Sequence, residues 1–427
     1  MTSEKADNIK VLSFNCWGLR FVSKYRTERL HAIGVKLSEC DYDIVLLQEV
    51  WSINDYHSIQ NSTRENLPYS RFYHSAAMGA GLAVLSRYPI VETTMNKYPL
   101  NGRPQAFWRG DWYVGKGVAT ASLQHPSGKI ISVFDTHLHA PYGKGEDTYL
   151  CHRMAQAWYI SKLIRAAVQR GHIVLAAGDF NFQPLTEPHN IITSYGLVSD
   201  SWLSVHPDQY KNAPSRFTLS DQELIDILGV TCDSHLNTWR ANVSDKDMDD
   251  YVAKRLDYVF HSPNNTDAVS SKVVFTEHVP KLDCSYSDHF AIEVVLELKK
   301  KPTEVTKTRL SETIVDDLLA VTYKYMIREK WYMRLRVAHL ILSIPIIIGL
   351  HVAIAWCDPA WLKVIILFIA VVLAVSAVGN GFCIGLLFGR WEFSGLLEFA
   401  AEMKEQKLLS KKYFMDNPID LPKSLDL

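Results

Sequence analysis

The seven cysteines of this 427-residue chain are scattered, and none stands in a CxxC pair. An odd, unpatterned set excludes a disulfide framework and a thiolate zinc site, and it suits a reducing compartment. The HExxH zinc signature is missing as well. Neither sign of charge is in excess. Against 45 Lys and Arg stand 46 Asp and Glu, a formal net charge of −1, which removes any global electrostatic attraction to nucleic acid. Repeats and low-complexity tracts are absent. The opening MTSEKADNIKVL holds no apolar signal segment, so the soluble part is expected in the cytosol.

Long apolar runs, by contrast, are present. Residues 337–357 read VAHLILSIPIIIGLHVAIAWC, and residues 361–389 read WLKVIILFIAVVLAVSAVGNGFCIGLLFG. Each reaches the ~20 mostly apolar residues that cross a bilayer, and only Asp358, Pro359 and Ala360 separate them. A tight membrane-spanning helical hairpin is expected. Lys324, Arg328, Lys330, Arg334 and Arg336 precede it, and Arg390, Lys404, Lys407, Lys411 and Lys412 follow it. Both flanks are therefore expected on the cytosolic side. Glycines of the second run suit close packing with a helix of this chain or of a neighbour, which leaves oligomeric state open. The KKKP at 299–302 reads as a linker. Residues 310–332 have helical spacing and suit a helix on the membrane surface, a prop, or a plain spacer. The expected organisation is a catalytic domain at 1–298, a basic linker and juxtamembrane helix at 299–334, two transmembrane helices at 335–389 and a cytosolic tail at 390–427.

The soluble part is rich in strand-like runs, at 10–15, 44–49, 81–87, 117–123, 129–138, 172–181, 255–261 and 287–298. Helical patterns at 25–40 and 148–169 are fewer and do not alternate with the strands. The expected fold class is α+β, with packed sheets and helices outside. Several of these strands end in polar residues. Asn15 closes SFN, Gln48 and Glu49 close LLQE, His137 and His139 follow VFDT, and Asp179 and Asn181 follow LAAG. Asp257 follows RL, and Asp288 and His289 open the last run. An Asx-turn accounts for one such ending. Six of them form a pattern.

Taken as convergent, these groups suit phosphoester chemistry. Glu49 offers a hard oxygen ligand and Asn15 a neutral one, the kind of set that Mg²⁺ takes. His289 is the natural base, with Asp257 orienting it through the other ring nitrogen. His137 and Asn181 can donate to phosphate oxygens, and Asp179 can hold the attacking water or protonate the leaving alkoxide. His139 reads equally well as structural. Residues 110–116, GDWYVGK, match GxxxxGK. Gly117 stands where Ser or Thr should hold Mg²⁺, and a strand follows, so nucleotide binding is rejected.

The set SFNCWG, LLQEVW, THLHAP, GDFN, RLDYVF and SDHFA, in this order across residues 8–298, resembles the endonuclease/exonuclease/phosphatase superfamily. The resemblance implies a four-layered α/β sandwich (DNase-like) and Mg²⁺-dependent phosphoester hydrolysis. It also implies Glu49 as metal ligand, His289 partnered by Asp257, and Asn15, His137, Asp179 and Asn181 around the phosphate. THLHAPYGKGED and the two C-terminal runs are similar to the neutral sphingomyelinase branch, above all to the fungal inositol phosphosphingolipid phospholipases C. That similarity implies cleavage of inositol phosphosphingolipids and/or sphingomyelin to ceramide and a phosphorylated headgroup. It further implies anionic phospholipids as activators, and the endoplasmic reticulum and/or mitochondrial outer membrane as location. Asp111 and Lys116 are implied as a switch at the catalytic cleft, with substrate contact or a surface ion pair as the alternatives. The rival readings are a membrane-tethered inositol lipid phosphatase and a non-enzymatic membrane scaffold.

Overall fold

The computed structural model describes residues 8–142, 146–240, 253–305 and 309–416. Residues 143–145 of the THLHAPYGKGED stretch and the final 417–427 of the expected tail lie outside the described residues. Two units are formed, one from residues 1–102 with 109–309 and one from 103–108 with 310–427.

Among the described residues of the first unit, twelve strands build two six-stranded sheets. The strands are β1 (Asn8–Asn15), β2 (Ile44–Gln48), β3 (Tyr69–Tyr73), β4 (Leu82–Ser86), β5 (Ile90–Lys97) and β6 (Gly117–Gln124), then β7 (Ile130–His137), β8 (Ile173–Asp179), β9 (Ser199–Asp200), β10 (Asp257–His261), β11 (Thr266–Val274) and β12 (Ala291–Leu298). The first sheet runs β11-β12-β1-β2-β4-β3 and the second β5-β6-β7-β8-β10-β9. Each contains one parallel pair, β1 with β2 and β7 with β8, among antiparallel neighbours. Where the parallel strands end, antiparallel β10 and β12 begin, so polar residues at either kind of terminus meet at one edge.

Side chains alternate between faces along a strand, and here that alternation assigns the layers. Ile9 and Val11, Ile44 and Leu46, Ile131 and Val133, and Ile173, Leu175 and Ala177 all join one core between the sheets. The intervening Leu12, Phe14, Val45 and Leu47 point outward, against Leu30, Ile33 and Leu37 of α1 (Arg26–Ser38) and Ile59 of α2 (Ile53–Thr63). Helix α3 (Leu150–Gln169) packs over the second sheet at β8 and buries Met154, Ala157, Trp158 and Ile160. The result is a four-layered sandwich.

A buried ion pair fastens the second sheet's edge. Asp200 accepts from Arg255 Nη1 at 3.0 Å, lies 3.1 Å from His189 Nε2, and caps the next helix through Trp202 N at 2.9 Å. Burial alone would raise its carboxyl, but Arg255 and His189 outweigh it and hold the pKa at about 2. Asp200→Ala leaves Arg255 buried without its carboxylate and is expected to cost about 3–5 kcal/mol. Because the folded carboxyl titrates below its unfolded value, this contribution is present above pH ~4 and fades towards pH 2. Thermal unfolding of wild type and variant across that range, followed by tryptophan fluorescence, measures it.

The second unit is helical. One continuous helix, α4 (Glu312–Trp356), carries both the expected juxtamembrane segment and the first apolar run. Its 45 residues span about 67 Å. Next come α5 (Ala360–Ser376), a π-helical stretch (Ala377–Phe388) and α6 (Gly389–Asp416). Among the described residues two helical stretches, Glu312–Ala355 and Ala360–Ser410, are long and apolar enough to cross a membrane, with mean hydropathies of 2.3 and 2.7. Gly381 and Gly385 of the second run pack on Leu340 and Arg336 of α4, within this same chain. Beyond the apolar runs, α6 returns along α4. The two bury Leu318, Leu319 and Tyr325 with Leu396, Phe399 and Met403, and Tyr325 Oη donates to Glu392 Oε1 at 2.9 Å. Residues 310–332 are thus one side of a helix pair, not a solitary spacer.

Candidate active site

The inner-face alternation that supplies the apolar core changes character at one end. Along β1 the series is Ile9, Val11, Ser13, Asn15, and along β2 it is Ile44, Leu46, Gln48. On β7 it is Ile131, Val133, Asp135, His137, and on β8 Ile173, Leu175, Ala177, Asp179. His137, Asp179 and Asp257 lie in one row of the second sheet's register. The site is therefore the polar end of the inter-sheet core.

Six of the residues expected from sequence form one connected cluster. Asn15 Nδ2 donates to Asp179 Oδ2 at 3.0 Å and lies 3.3 Å from Glu49 Oε1. His289 Nδ1 is 2.8 Å from Asp257 Oδ2, and its Nε2 is 3.9 Å from Asp179 Oδ2. His137 Nε2 is 3.4 Å from the same oxygen. Asn181 sits beside it. Its backbone N–H donates to Asp179 Oδ1 at 3.0 Å, so the strand does end in an Asx-turn, and its side chain donates to Leu138 O at 3.1 Å. Gly178 precedes Asp179 because a Cβ there would stand 1.9 Å from Thr136 O.

Asp111 and Lys116 stand as a buried pair beside this cluster. Lys116 Nζ contacts Asp111 Oδ1 and Leu138 O, each at 2.7 Å, so Lys116 and Asn181 share one carbonyl. Both residues are about 95% buried, which removes the surface-pair reading. Gly110 and Gly115 bracket a four-residue helix, and β6 starts directly after Lys116. This is not a phosphate-binding strand–loop–helix. His139 Nδ1 contacts Ala140 O at 2.8 Å, its ring stacks on Tyr149 at 4.0 Å, and its Nε2 lies 3.6 Å from Asp111. It supports the pair from outside the cleft.

Burial sets the electrostatics. It raises the Asp179 carboxyl to about 7, with Asp257 adding to the effect and His289 opposing it. At His289 burial disfavours charge, but Cys232, Asp257 and Asp179 outweigh it, and the imidazole is held well above its usual range. Burial holds His137 neutral, with Lys116 and His289 reinforcing it. Asp288, half-buried beside Glu49, is pushed up to about 6 by burial.

One polar pair was only half legible, Gln48 as a strand ending and Asp135 not at all. Gln48, paired with Asn15 in the β1–β2 register, donates through Nε2 to Asp135 Oδ1 at 2.7 Å across the gap between the sheets, Asp135 lying one inward step below His137. Burial raises Asp135 well above the carboxylate range. This neutral bridge floors the site. Asp135, the one carboxylate within β7, was its other trace in the sequence.

The donor set fits a hard divalent cation. Ligand atoms of Asp179, Asp257 and His289 lie within 4.8 Å of one another. Glu49 meets only the Asn15 amide and the Trp51 indole, at 3.3 and 3.4 Å, and no ion-pairing cation among the described residues. Asp179 and Asp257 face each other with His289 between them as counter-charge. Oxygen donors of this kind take Mg²⁺, Ca²⁺ or Mn²⁺ in preference to softer ions.

Comparison with known proteins gives a consistent picture. The profile described as "Endonuclease/Exonuclease/phosphatase family" matches residues 12–289. An inositol phosphosphingolipids phospholipase C of Schizosaccharomyces pombe is 73% identical over 99% of this chain and 100% of its own length. One of Saccharomyces cerevisiae is 35% identical, over 96% and 93%. A putative neutral sphingomyelinase of Caenorhabditis elegans is 31% identical, over 67% and 66%.

Proposed function

The chain belongs to the endonuclease/exonuclease/phosphatase family, and we propose that it is a membrane-anchored, Mg²⁺-dependent phosphodiesterase of phospholipase C type. It hydrolyses inositol phosphosphingolipids and/or sphingomyelin to ceramide and a phosphorylated headgroup. The observation that carries this reading is the single cluster of Asn15, Glu49, His137, Asp179, Asp257 and His289 at one end of the sandwich, in a chain that is 73% identical to an inositol phosphosphingolipids phospholipase C over almost its whole length.

Glu49, with Asp179 near it, would hold the cation, which when bound supplies a Lewis acid to the phosphoryl oxygen. The side chains divide the remaining work. Asp257 fixes the ring of His289 through Nδ1 and keeps it charged, so Nε2 donates to the phosphoryl oxygen. Asp179, next to that nitrogen, accepts the proton of the attacking water as the new P–O bond forms, and charged His289 passes its Nε2 proton to the ceramide oxygen as that oxygen's bond to phosphorus breaks. Base duty thus passes from His289, the sequence expectation, to Asp179. Neutral His137 and the Asn181 amide complete the phosphate cradle. Lys116 is committed to Asp111 and Leu138 O. We assign this pair to control of the cradle, since releasing Lys116 would free the carbonyl that positions Asn181.

The two apolar helices anchor the chain. A turn of three residues between them would return the chain to its side of entry, and the basic flanks support a cytosolic side. Incubating the purified protein with labelled inositol phosphosphingolipid and sphingomyelin, with and without Mg²⁺, tests the reading. Free ceramide is the expected product. Inorganic phosphate, without ceramide, would identify a monoesterase instead.

A further inference from the structure

Between β1 and α1 the chain reads Gly18-Leu-Arg-Phe-Val-Ser-Lys-Tyr, with two cations and no acidic residue. Its apolar side chains face solvent: Phe21 is 94% exposed, Val22 62% and Tyr25 55%. Single exposed apolar residues need no explanation, but three on one short loop do. The loop is also held open. Phe21 and Tyr25 adopt positive φ values of 73° and 47°, a costly backbone for aromatic residues. Ser23 N and Oγ both donate to Leu19 O, at 3.0 and 2.9 Å. Fully buried Arg29 anchors the base by donating to four carbonyls, those of Cys16, Trp17, Lys24 and Tyr286, at 2.7 to 3.2 Å. Its guanidinium also lies 4.8 Å from the Trp17 ring and 5.6 Å from that of Trp239. The tip projects because its stem is fixed.

The loop is continuous with the catalytic cluster. Trp17 N donates to Asn15 Oδ1 at 3.0 Å, and Gly18 N donates to Glu49 O at 2.9 Å. The approach is so close that a Cβ on Gly18 would stand 2.4 Å from that oxygen. Arg20 and Lys24 are exposed and have no carboxylate partner among the described residues, Arg20 lying over the Phe21 ring at 5.1 Å.

We infer that residues 19–25 are an interfacial loop. Phe21 and Val22 enter the boundary between headgroups and acyl chains, and Arg20 and Lys24 meet anionic phospholipid headgroups around them. Apolar tips flanked by cations match that boundary in both charge and polarity. The inference rests on the phospholipase C reading, in which the scissile bond lies at headgroup depth. A loop that starts on the backbone of Glu49 brings the cleft to that depth.

The test uses the full-length protein reconstituted in phosphatidylcholine vesicles with and without phosphatidylserine. F21S/V22S is expected to lower hydrolysis of vesicle substrate at least about tenfold, while hydrolysis of a monomeric short-chain analogue stays unchanged. R20E/K24E is expected to remove the gain that phosphatidylserine gives. F21W is expected to keep vesicle activity, with its added emission quenched by brominated phosphatidylcholine. Equal rates of wild type and F21S/V22S on vesicles would overturn the inference, as would added emission that brominated lipid leaves unquenched. Loss of quenching together with crosslinking to a second protein would assign the loop to a protein partner. Because quenching needs no turnover, a wild type that releases no ceramide, beside an F21W variant whose added emission is quenched, would refute the phospholipase reading and leave the loop standing.

Discussion

His289→Ala is expected to lower turnover about 10³–10⁴-fold. The imidazole is the one positively charged group that the cluster holds next to Asp179, and its orientation comes from a single 2.8 Å contact with Asp257. Removing it deletes the phosphoryl donor and also leaves two buried carboxyls, Asp179 and Asp257, facing each other with less counter-charge. Asp257→Asn keeps the shape but no longer stabilises the imidazolium, so its loss is expected to be smaller than that of His289→Ala. Its pH profile should also differ from that of wild type on the side where His289 would lose its proton. Single-turnover release of ceramide from labelled lipid measures both, with thermal unfolding as the control for folding. An His289→Ala enzyme within about tenfold of wild type would show that proton transfer and phosphate stabilisation lie elsewhere.

Stripping divalent ions is expected to abolish turnover, and added Mg²⁺ to restore it. Glu49→Gln should lower the rate at ordinary Mg²⁺ by about 10³-fold and recover partly at high Mg²⁺. Glutamine is a fair comparison because Glu49 sits at a φ of 57°, and both side chains bear that backbone equally. What changes is the charge on an oxygen that meets only weak amide and indole donors. The readout is rate against Mg²⁺ concentration, where a shifted midpoint separates lost ion affinity from lost chemistry. Full activity after chelation would remove the cation from the mechanism.

Much of the sandwich was legible because its central strands are apolar runs that stop at a polar residue. β8, IVLAAGD, is the clearest case. The missed strands sit at or beside the sheet edges, where one face meets water. β5, IVETTMNK, and β11, TDAVSSKVV, mix polar and apolar residues as loops do. Helix α2, INDYHSIQNST, is polar over most of its surface, and its signal is the Ser52 cap on Asn54 N. The cluster was legible because each of its members ends or adjoins a recognisable strand. Arg29 was not, since all four of its hydrogen-bond partners are backbone carbonyls, one of them 257 residues away. The apolar runs announced themselves by length, whereas the return of α6 along α4 depends on scattered packing residues such as Phe399 and Met403.

The alternation of core and catalytic residues on the same strand face restricts how this enzyme can drift. One residue inserted within β8 would turn Asp179 towards the outer helices and send its neighbours into the cleft, inverting the whole strand beyond that point. A pair of insertions would restore the face but displace the carboxylate by about 7 Å, out of reach of His289. Strand lengths are therefore frozen like the pitch of a comb. Insertions and deletions are tolerated only in the outer loops and helix ends, and there the descendants of this chain have room to acquire new headgroup preferences.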